Sequence, residues 1–208
     1  MPEHATSSLL IIVSAPSGGG KTTLCEQILA ANPNTVRAIT CTTRPPREGE
    51  KDGVDYYFLD AASFLRRVQA GHFLEHATVY GNSYGTPKSE VLEKLRHGQD
   101  VLLSVDVQGA AAITEQSEED SEVKRALVTV FVTPPSLAIL EERLRKRGKD
   151  SPEVIKRRLL VARQEVAQWK HFDYLIMSRS IPEDTKRLQA IIAAEKMRQF
   201  RVQAPAFE

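Results

Sequence analysis

Residues 14–23, SAPSGGGKTT, are the part of this chain that is most informative about its fold. It matches the phosphate-binding pattern G-x-x-x-x-G-K-[ST] except at its first position, where Ala15 replaces glycine. Residues 18–20 are all glycine, and glycine can adopt positive φ and let backbone N–H groups approach phosphate oxygens. Lys21 is expected to reach the β- and γ-phosphates, and the Thr22 hydroxyl is expected to bind Mg²⁺. We call residues 14–23 the phosphate loop.

The segments on both sides of the phosphate loop favour this interpretation. Residues 9–13, LLIIV, form a continuous apolar run of strand length, typical of a parallel strand buried on both faces. After the loop, Leu24 and Ile28 keep helical spacing until Asn32-Pro33 ends the helix. A buried strand, a glycine-rich loop and a helix in this order are the context that a phosphate site requires.

Composition narrows the class of protein. The chain has 208 residues, of which 41% are hydrophobic, and its formal net charge is +1. This length suits one globular unit with small inserts, and the near-neutral charge argues against a dedicated nucleic-acid or membrane-surface binder. Cys25 and Cys41 have neither the spacing of a metal site nor that of a disulfide framework. We therefore expect reduced thiols and a cytoplasmic protein.

The remaining pattern predicts an α/β fold with a mostly parallel sheet flanked by helices. Strand-like segments follow at residues 36–39, 56–58, 73–79, 101–105, 126–132 and 174–177. Helical segments follow at residues 61–70, 89–96, 137–147, 152–169 and 183–200. Residues 40–49 are typical of a loop and residues 80–85 of a turn, and the short elements around them indicate an insert. In such folds, ligands bind at the carboxyl ends of the strands.

Positive charge is concentrated in two places, as transfer between two phosphate-bearing substrates requires. Arg44 and Arg47 flank a stiff proline pair and could bind one phosphate together, although solvated loop charges are the alternative. Arg143 and Arg147 are spaced i, i+4 on one predicted helix, and Arg158 lies on the next. These three form a candidate cationic lid, with ordinary solvated arginines as the alternative.

A GTPase is a competing interpretation of the phosphate loop. Residues 106–109, DVQG, have the D-x-x-G form of a GTPase switch region. The chain has no Asn-Lys-x-Asp segment, with which GTPases usually read guanine. The motifs therefore favour a phosphotransferase.

Several separated segments, in the same order, resemble those of the bacterial guanylate kinases over essentially the whole chain. They are TTRPPREG at 42–49, GVDYYF at 53–58, FLE at 73–75, YGNSYGT at 80–86, DVQG at 106–109, TPPS at 133–136 and RLRKRG at 143–148. That family also accepts alanine at the position of Ala15. The resemblance therefore supports the phosphate loop despite its missing glycine.

The resemblance implies a P-loop NTPase-type α/β fold in three parts. These are a P-loop core (1–39, 99–136 and 170–208), an inserted GMP-binding subdomain (40–98) and a helical lid (137–169). It implies transfer of the γ-phosphoryl group of MgATP to GMP, or dGMP, giving ADP and GDP. Mg²⁺ is the implied cofactor, and the implied partners are ATP and GMP, without nucleic acid or membrane. Both a monomer and a homo-oligomer stay open.

Roles carry over from the resemblance residue by residue. The GMP site comprises Thr40, Arg44, Arg47, Tyr56, Glu75, Tyr84, Thr86 and Asp106; the arginines and tyrosines would hold the phosphate, while Glu75, Thr86 and Asp106 would face guanine. The ATP site comprises Ala15, Pro16, Ser17, Gly18, Gly19, Gly20, Lys21, Thr22, Thr23 and Arg143, with Thr22 also binding the metal. Lys21, Arg44, Arg147 and Arg158 are the implied catalytic residues.

The chain departs from the family pattern at two places that bear on substrate binding, one near the metal or the acceptor and one near the base of the donor. Ser104 stands where an aspartate is usual, which removes a carboxylate near the metal or the acceptor. Ser178 and Arg179 replace a common Asn-Asp pair, which leaves recognition of the donor base open. Two alternative functions are a catalytically silent guanylate-kinase-like protein-binding module and a different nucleoside monophosphate kinase. The intact phosphate loop disfavours the first, and Glu75 disfavours the second.

Overall fold

The computed structural model describes residues 7–79, 81–148 and 150–202. Tyr80 of the YGNSYGT segment and the outer ends of the predicted core, 1–6 and 203–208, lie outside the described residues. Within the described chain, no helix has the length and apolar character needed to span a membrane.

The strands and helices alternate along most of the chain. In chain order the strands are β1 (Leu10–Ser14), β2 (Thr35–Arg37), β3 (Cys41–Thr42), β4 (Tyr57–Phe58), β5 (Phe73–Val79), β6 (Asn82–Pro87), β7 (Asp100–Ser104), β8 (Leu127–Thr133) and β9 (Tyr174–Met177). The helices are α1 (Lys21–Ala31), α2 (Ala61–Gln69), α3 (Lys88–Arg96), α4 (Val107–Glu119), α5 (Ser121–Ala126), α6 (Leu137–Arg147), α7 (Pro152–Val166) and α8 (Ile181–Lys196). Short 3-10 turns follow α7 at Ala167–His171 and α8 at Gln199–Arg201.

The larger sheet is parallel, with the strand order β2-β7-β1-β8-β9 among the described residues. β1 lies at its centre, where Ile11 pairs with Leu102 of β7 and Val128 of β8. Every residue of β1 is buried, because helices cover both faces of the sheet. The prediction of an α/β fold with a parallel sheet is therefore confirmed. Because the five strands are parallel, their carboxyl ends lie at the same edge of the sheet, and the loops that follow them lie there too.

Alternating residues of β1, together with Leu9 just before it, belong to two hydrophobic clusters, one on each face of the sheet. Leu9, Ile11 and Val13 pack in the cluster that includes residues of α1 and α8, whereas Leu10 and Ile12 pack with residues of α3, α4 and α5. Each fully buried leucine or isoleucine side chain contributes roughly 1.5–3 kcal/mol relative to an exposed one. These two clusters fix the helices that carry the loops of the site.

The second sheet is mixed, with the order β4-β3-β6-β5 among the described residues. Its β5 and β6 form an antiparallel pair, and its β3 and β4 are parallel. A small core of Cys41, Phe64 and Phe73 joins this sheet to α2, with the two phenylalanine rings stacked 4.8 Å apart. The sheet therefore has its own core, separate from the two clusters of the parallel sheet.

Several local predictions were wrong where strands pair at a distance. Residues 82–85 belong to β6, although residues 80–85 were predicted as a turn, and the predicted loop at 40–49 contains β3. Cross-strand hydrogen bonds to β5 and between β3 and β6 override the local preference of Asn, Ser and Gly for turns. The helices α4 and α5 were not predicted, and the last helix ends at Lys196 rather than near residue 200.

Arg201 ties the end of the described chain to its beginning. Its guanidinium donates to the carbonyl oxygens of Arg125 and Leu127, both at 3.0 Å, and it pairs with the Glu195 carboxylate. Its own carbonyl accepts a hydrogen bond from the Ser7 N–H at 3.0 Å. Arg201 and Glu195 are 3% and 2% exposed, so the ion pair is buried.

We expect Arg201→Met to lower the free energy of unfolding by about 3 kcal/mol, since it leaves a buried carboxylate without its main partner. The expected loss is at the low end for such pairs, because Arg198 still contacts Glu195 at 3.2 Å. Urea denaturation measures the effect. Arg198→Gln is the matched control, because Arg198 binds the same carboxylate from an exposed position, and it should cost less than about 1 kcal/mol. Equal losses in the two variants would contradict the assignment.

Candidate active site

The phosphate loop connects the central strand β1 to helix α1, as the sequence predicted. Gly18 and Gly20 have φ values of 89° and 93°, which L-residues with a side chain rarely adopt. Gly18 also packs against α6, where an added β-carbon would come within 2.6 Å of Leu144 Cδ2. Gly20 lies near the start of α8, with the nearest atom to an added β-carbon being Ile181 Cδ1 at 4.0 Å. The loop is thus flanked by α6 and α8.

Lys21 and Thr22 occupy the first turn of α1. Within α1 as described, no acidic side chain lies in this turn and no side chain caps it, so its backbone N–H groups are open to an anion. Lys21 Nζ donates to the Val105 carbonyl at 2.7 Å, which places the ammonium at the end of β7. Burial lowers the pKa of Lys21, while the Asp106 carboxylate opposes that shift. A partly desolvated cation interacts strongly with phosphate oxygens.

A cleft of about 330 Å³ opens beside the phosphate loop, at the carboxyl end of β7. We call it the acceptor cleft. It is lined by seven of the predicted site residues, namely Thr22, Thr40, Tyr56, Glu75, Tyr84, Thr86 and Asp106. These residues come from α1, from β5 and β6, from the positions just before β3 and β4, and from the N-cap of α4, so only the tertiary fold brings them together.

The inner end of the acceptor cleft presents two carboxylates. Glu75 on β5 pairs with Thr86 on β6, whose hydroxyl donates to Glu75 Oε1 at 2.6 Å. Burial raises the pKa of Glu75, and the nearby Asp106 carboxylate adds to the shift. Asp106 caps α4 by accepting from the Gly109 N–H at 2.8 Å. An added β-carbon at Gly109 would lie 3.5 Å from both Glu75 Oε2 and Asp106 Oδ1, so the two groups converge over the start of α4.

Two tyrosines line the outer end of the acceptor cleft, and Arg44 lies beside them without lining the cleft itself. The Arg44 guanidinium lies 5.5 Å from the centre of the Tyr56 ring, and the Tyr56 and Tyr84 rings meet edge to face at 6.3 Å. Glu50 binds Arg44 Nη2 at 2.8 and 3.0 Å and accepts from the Arg47 N–H at 2.7 Å. This pairing with Glu50, followed by Tyr84, raises the pKa of Arg44. The Arg47 side chain is exposed and does not line the cleft.

Arg147 and Arg158 share one carboxylate, which sequence reasoning missed. Asp150 Oδ2 lies 3.1 Å from Arg147 Nη2 and 3.4 Å from Arg158 Nη1. Asp150 lies between α6 and α7, whose apolar residues Leu144 and Ile155 form a separate cluster. The sequence signal for this contact was an acid placed between two arginine-bearing helices. The fold brings these two predicted catalytic arginines together.

Arg143 lies apart from that pair, although the sequence placed it on the same helix face. Its Nη1 donates to Ser178 Oγ at 3.1 Å and its Nη2 to the Arg179 carbonyl at 3.2 Å. It therefore binds the β9–α8 loop, beside the part of the phosphate loop that contacts α6 and α8.

The rest of the predicted ATP site lies in the phosphate loop or the first turn of α1, and one of its contacts was not predicted. Ala15 and Pro16 are buried, and Thr23 is exposed. The Ser17 N–H donates to Glu165 Oε2 of α7 at 3.1 Å. No sequence pattern indicated Glu165, because the contact joins residues 148 positions apart.

Hard oxygen ligands for Mg²⁺ are limited in this region. No cluster of three or more His, Cys, Asp or Glu side chains able to hold a metal occurs in the described part of the chain. The Thr22 hydroxyl and the Asp106 carboxylate line the same cleft, and Mg²⁺ commonly takes one or two such ligands together with phosphates and water. These residues fit a metal that arrives with a nucleotide. Burial raises the pKa of the neighbouring Cys25 thiol to about 11, which makes it a poor nucleophile.

Comparison with known proteins gives consistent matches over nearly the whole chain. The family model described as guanylate kinase matches residues 7–195. A guanylate kinase of Carboxydothermus hydrogenoformans is 45% identical over 93% of this chain and 92% of its own, and one of Maricaulis maris is 42% identical over 93% and 86%. The crystal structure of guanylate kinase from Anaplasma phagocytophilum superposes with a TM-score of 0.70 at 32% identity, covering 96% of this chain and 92% of that one.

Proposed function

This chain belongs to the guanylate kinase family and is a nucleoside monophosphate kinase, and we propose that the acceptor cleft and the phosphate loop carry out the transfer from MgATP to GMP. One observation carries the assignment of residues. Lys21, at the start of the donor-binding helix, reaches the end of β7, where Glu75 and Asp106 of the acceptor cleft converge.

The base of GMP binds at the inner end of the cleft. Guanine presents two adjacent donors, N1–H and the exocyclic amine, and a carboxylate such as Glu75 can accept from both. The Thr86 hydroxyl holds one Glu75 oxygen in place at 2.6 Å, and Asp106 adds a second acceptor. Adenine lacks this pair of donors and would leave a buried carboxylate unpaired, which is costly. Thr40 lines the same cleft.

The phosphate of GMP binds at the outer end, beside Arg44, Tyr56 and Tyr84. The Arg44 guanidinium already lies next to both tyrosines and binds the Glu50 carboxylate. The phosphate of GMP takes the place of that carboxylate, because both anions can accept two hydrogen bonds from one guanidinium. Arg47 is exposed on the same loop and joins this phosphate when the subdomain closes.

The phosphates of ATP bind the backbone N–H groups of Gly18, Gly20 and the first turn of α1. Pro16 has no N–H, and the N–H groups of Ser17 and Gly19 already donate within the protein. The Thr22 hydroxyl would hold an Mg²⁺ ion that arrives with ATP, and the metal would supply positive charge to offset that of the phosphates. Lys21 holds the γ-phosphoryl group against the acceptor. The chain supplies alignment and charge and needs no obligatory general base.

Arg147 and Arg158 stabilise the transferred phosphoryl group. In the structure, the Asp150 carboxylate pairs with both guanidinium groups, as an anionic phosphate would. We assign residues 1–39, 99–136 and 170–208 to the core, 40–98 to the GMP-binding subdomain and 137–169 to the lid. Closure of the lid and the subdomain over the reactants excludes water, which would otherwise accept the phosphoryl group.

A panel of nucleoside monophosphates tests this proposal. With MgATP as donor, ADP formation should be at least about 10²-fold faster, as kcat/KM, with GMP and dGMP than with AMP, CMP or UMP. Comparable turnover of AMP would contradict the assignment of Glu75 and Asp106. Binding of GMP without GMP-dependent ADP formation would instead favour the silent binding module, against which the intact glycines and Lys21 argue.

A further inference from the structure

We propose that Ser178 and Asp184 form a hydrogen-bonded relay that positions Arg143 for the donor nucleotide. This inference rests on the proposed function, because it takes Arg143 to be part of the ATP site. The relay consists of Asp184, Ser178 and Arg143, and it connects the first turn of α8 to helix α6 through the β9–α8 loop.

The relay is built from buried polar groups. Asp184 and Ser178 are 1% and 3% exposed. The Ser178 hydroxyl donates to Asp184 Oδ2 at 2.7 Å, and the Arg179 N–H donates to Asp184 Oδ1 at 3.2 Å. Each carboxylate oxygen therefore has its own donor. The position of Asp184 near the N-terminus of α8 also favours a negative charge.

The chemistry of these groups fixes the direction of every hydrogen bond. A carboxylate only accepts, so the Ser178 hydroxyl proton must point to Asp184. The lone pairs of Ser178 Oγ then face Arg143, whose guanidinium only donates, over 3.1 Å. The Arg179 carbonyl receives the other arm of the same guanidinium at 3.2 Å. Two acceptors in fixed positions thus hold the plane of Arg143.

The location of the relay supports a role in donor binding rather than in the fold alone. The phosphate loop lies between the two helices that the relay joins, with Gly18 against Leu144 of α6 and Gly20 near Ile181 of α8. Leu144 directly follows Arg143, and Ile181 begins the helix that carries Asp184. Arg143 is therefore held beside the loop that is proposed to bind the phosphates of ATP.

The relay predicts that two mild substitutions weaken ATP binding selectively. Ser178→Ala removes the hydroxyl, and Asp184→Asn leaves one acceptor oxygen for two donors, so either Ser178 or Arg179 faces an N–H group. We expect each to raise the Kd and the KM for MgATP about 5- to 30-fold, as the loss of one to two charge-assisted hydrogen bonds would. The KM for GMP should stay within about twofold, because the acceptor cleft is untouched. Ser178→Thr keeps the hydroxyl and should keep most of the affinity.

Calorimetric titration of MgATP into the full chain is the primary measurement. Ser180→Ala is the matched control, because Ser180 is an exposed serine of the same loop whose hydroxyl donates to Glu183 at 3.2 Å, outside the relay, and it should leave ATP affinity unchanged. Urea denaturation confirms that each variant is folded; should Asp184→Asn fail to fold, Ser178→Ala carries the test. In an Arg143→Ala background, Ser178→Ala should add no further loss, since the hydroxyl acts through Arg143.

Three results would overturn the relay. These are unchanged ATP affinity in both variants, an equal loss with and without Arg143, and a parallel rise in the KM for GMP. A wild-type chain that binds MgATP without phosphorylating GMP would overturn the proposed function, while the comparison of Kd values would still test the relay.

Discussion

We expect Lys21→Ala to lower kcat/KM for GMP phosphorylation by at least about 10³-fold, the largest effect of any single substitution considered. The ammonium is partly buried, and its bond to the Val105 carbonyl aims it at the junction of the phosphate loop and the acceptor cleft. Its charge therefore acts on the transferred group in a poorly screened setting. Alanine removes the charge, and the other residues of α1, which the structure describes in full, include no basic side chain that could replace it.

A coupled assay of ADP formation measures this loss, and Lys124→Ala is the control. Lys124 is an exposed lysine on α5 that pairs with Glu118, far from the phosphate loop in the chain, and its removal should leave kcat/KM within about twofold. GMP affinity of Lys21→Ala, measured by titration, should stay near that of the wild type. A variant that retains a tenth of the activity would show that Lys21 does not act on the transferred phosphoryl group.

The second large effect is expected at Glu75. Glu75→Gln should lower kcat/KM for GMP by about 10³-fold while hardly changing the slow reaction of AMP, because the amide presents an N–H group to one of the two guanine donors. Thr86 can still donate to the amide oxygen, so the pairing of β5 with β6 is preserved. Equal losses with GMP and AMP would indicate a general defect and contradict base recognition.

The raised pKa of Glu75 gives this prediction a pH dependence with a definite sign. Only the charged carboxylate accepts from both guanine donors, so kcat/KM for GMP should fall as the pH drops through the pKa of Glu75, which burial raises above its ordinary value. Glu75→Gln should lack this acid limb. A pH profile of wild type and variant, with GMP as acceptor, distinguishes the two cases.

The contribution of Glu75 to the free energy of unfolding should change with pH in the opposite sense to kcat/KM. Because the folded-state pKa of Glu75 is raised, its stabilising contribution is present below the unfolded pKa and is lost as the pH rises through the folded pKa. At neutral pH the buried charge is therefore a net cost, and Glu75→Gln should raise the free energy of unfolding there. Urea titrations at neutral and acidic pH test this, and a variant that is less stable at both would contradict it.

Much of the fold was predictable because its signals are local. The buried run before Ala15 and the helical spacing after Thr22 lie within a short stretch, and both strand β1 and helix α1 occur where the pattern placed them. Strand β5 was also predicted with its observed bounds, 73–79. Its residue types and its length are local features of the sequence that favour a strand. Strands β3 and β6 were missed, because their hydrogen-bond partners lie elsewhere in the chain.

The phosphate loop, the alternation of strands and helices, and the kinds of side chain available for binding phosphate and guanine could all be predicted from the amino-acid sequence. These depend on backbone preferences and on periodic patterns, which are short-range properties. Which side chains contact one another depends on the three-dimensional packing of the helices and strands. It separates Arg143 from Arg147, joins Arg147 to Arg158 through Asp150, and buries Asp184 beneath Ser178. Such contacts depend on distances of a few ångströms between elements remote in sequence, and on burial that makes each polar partner obligatory.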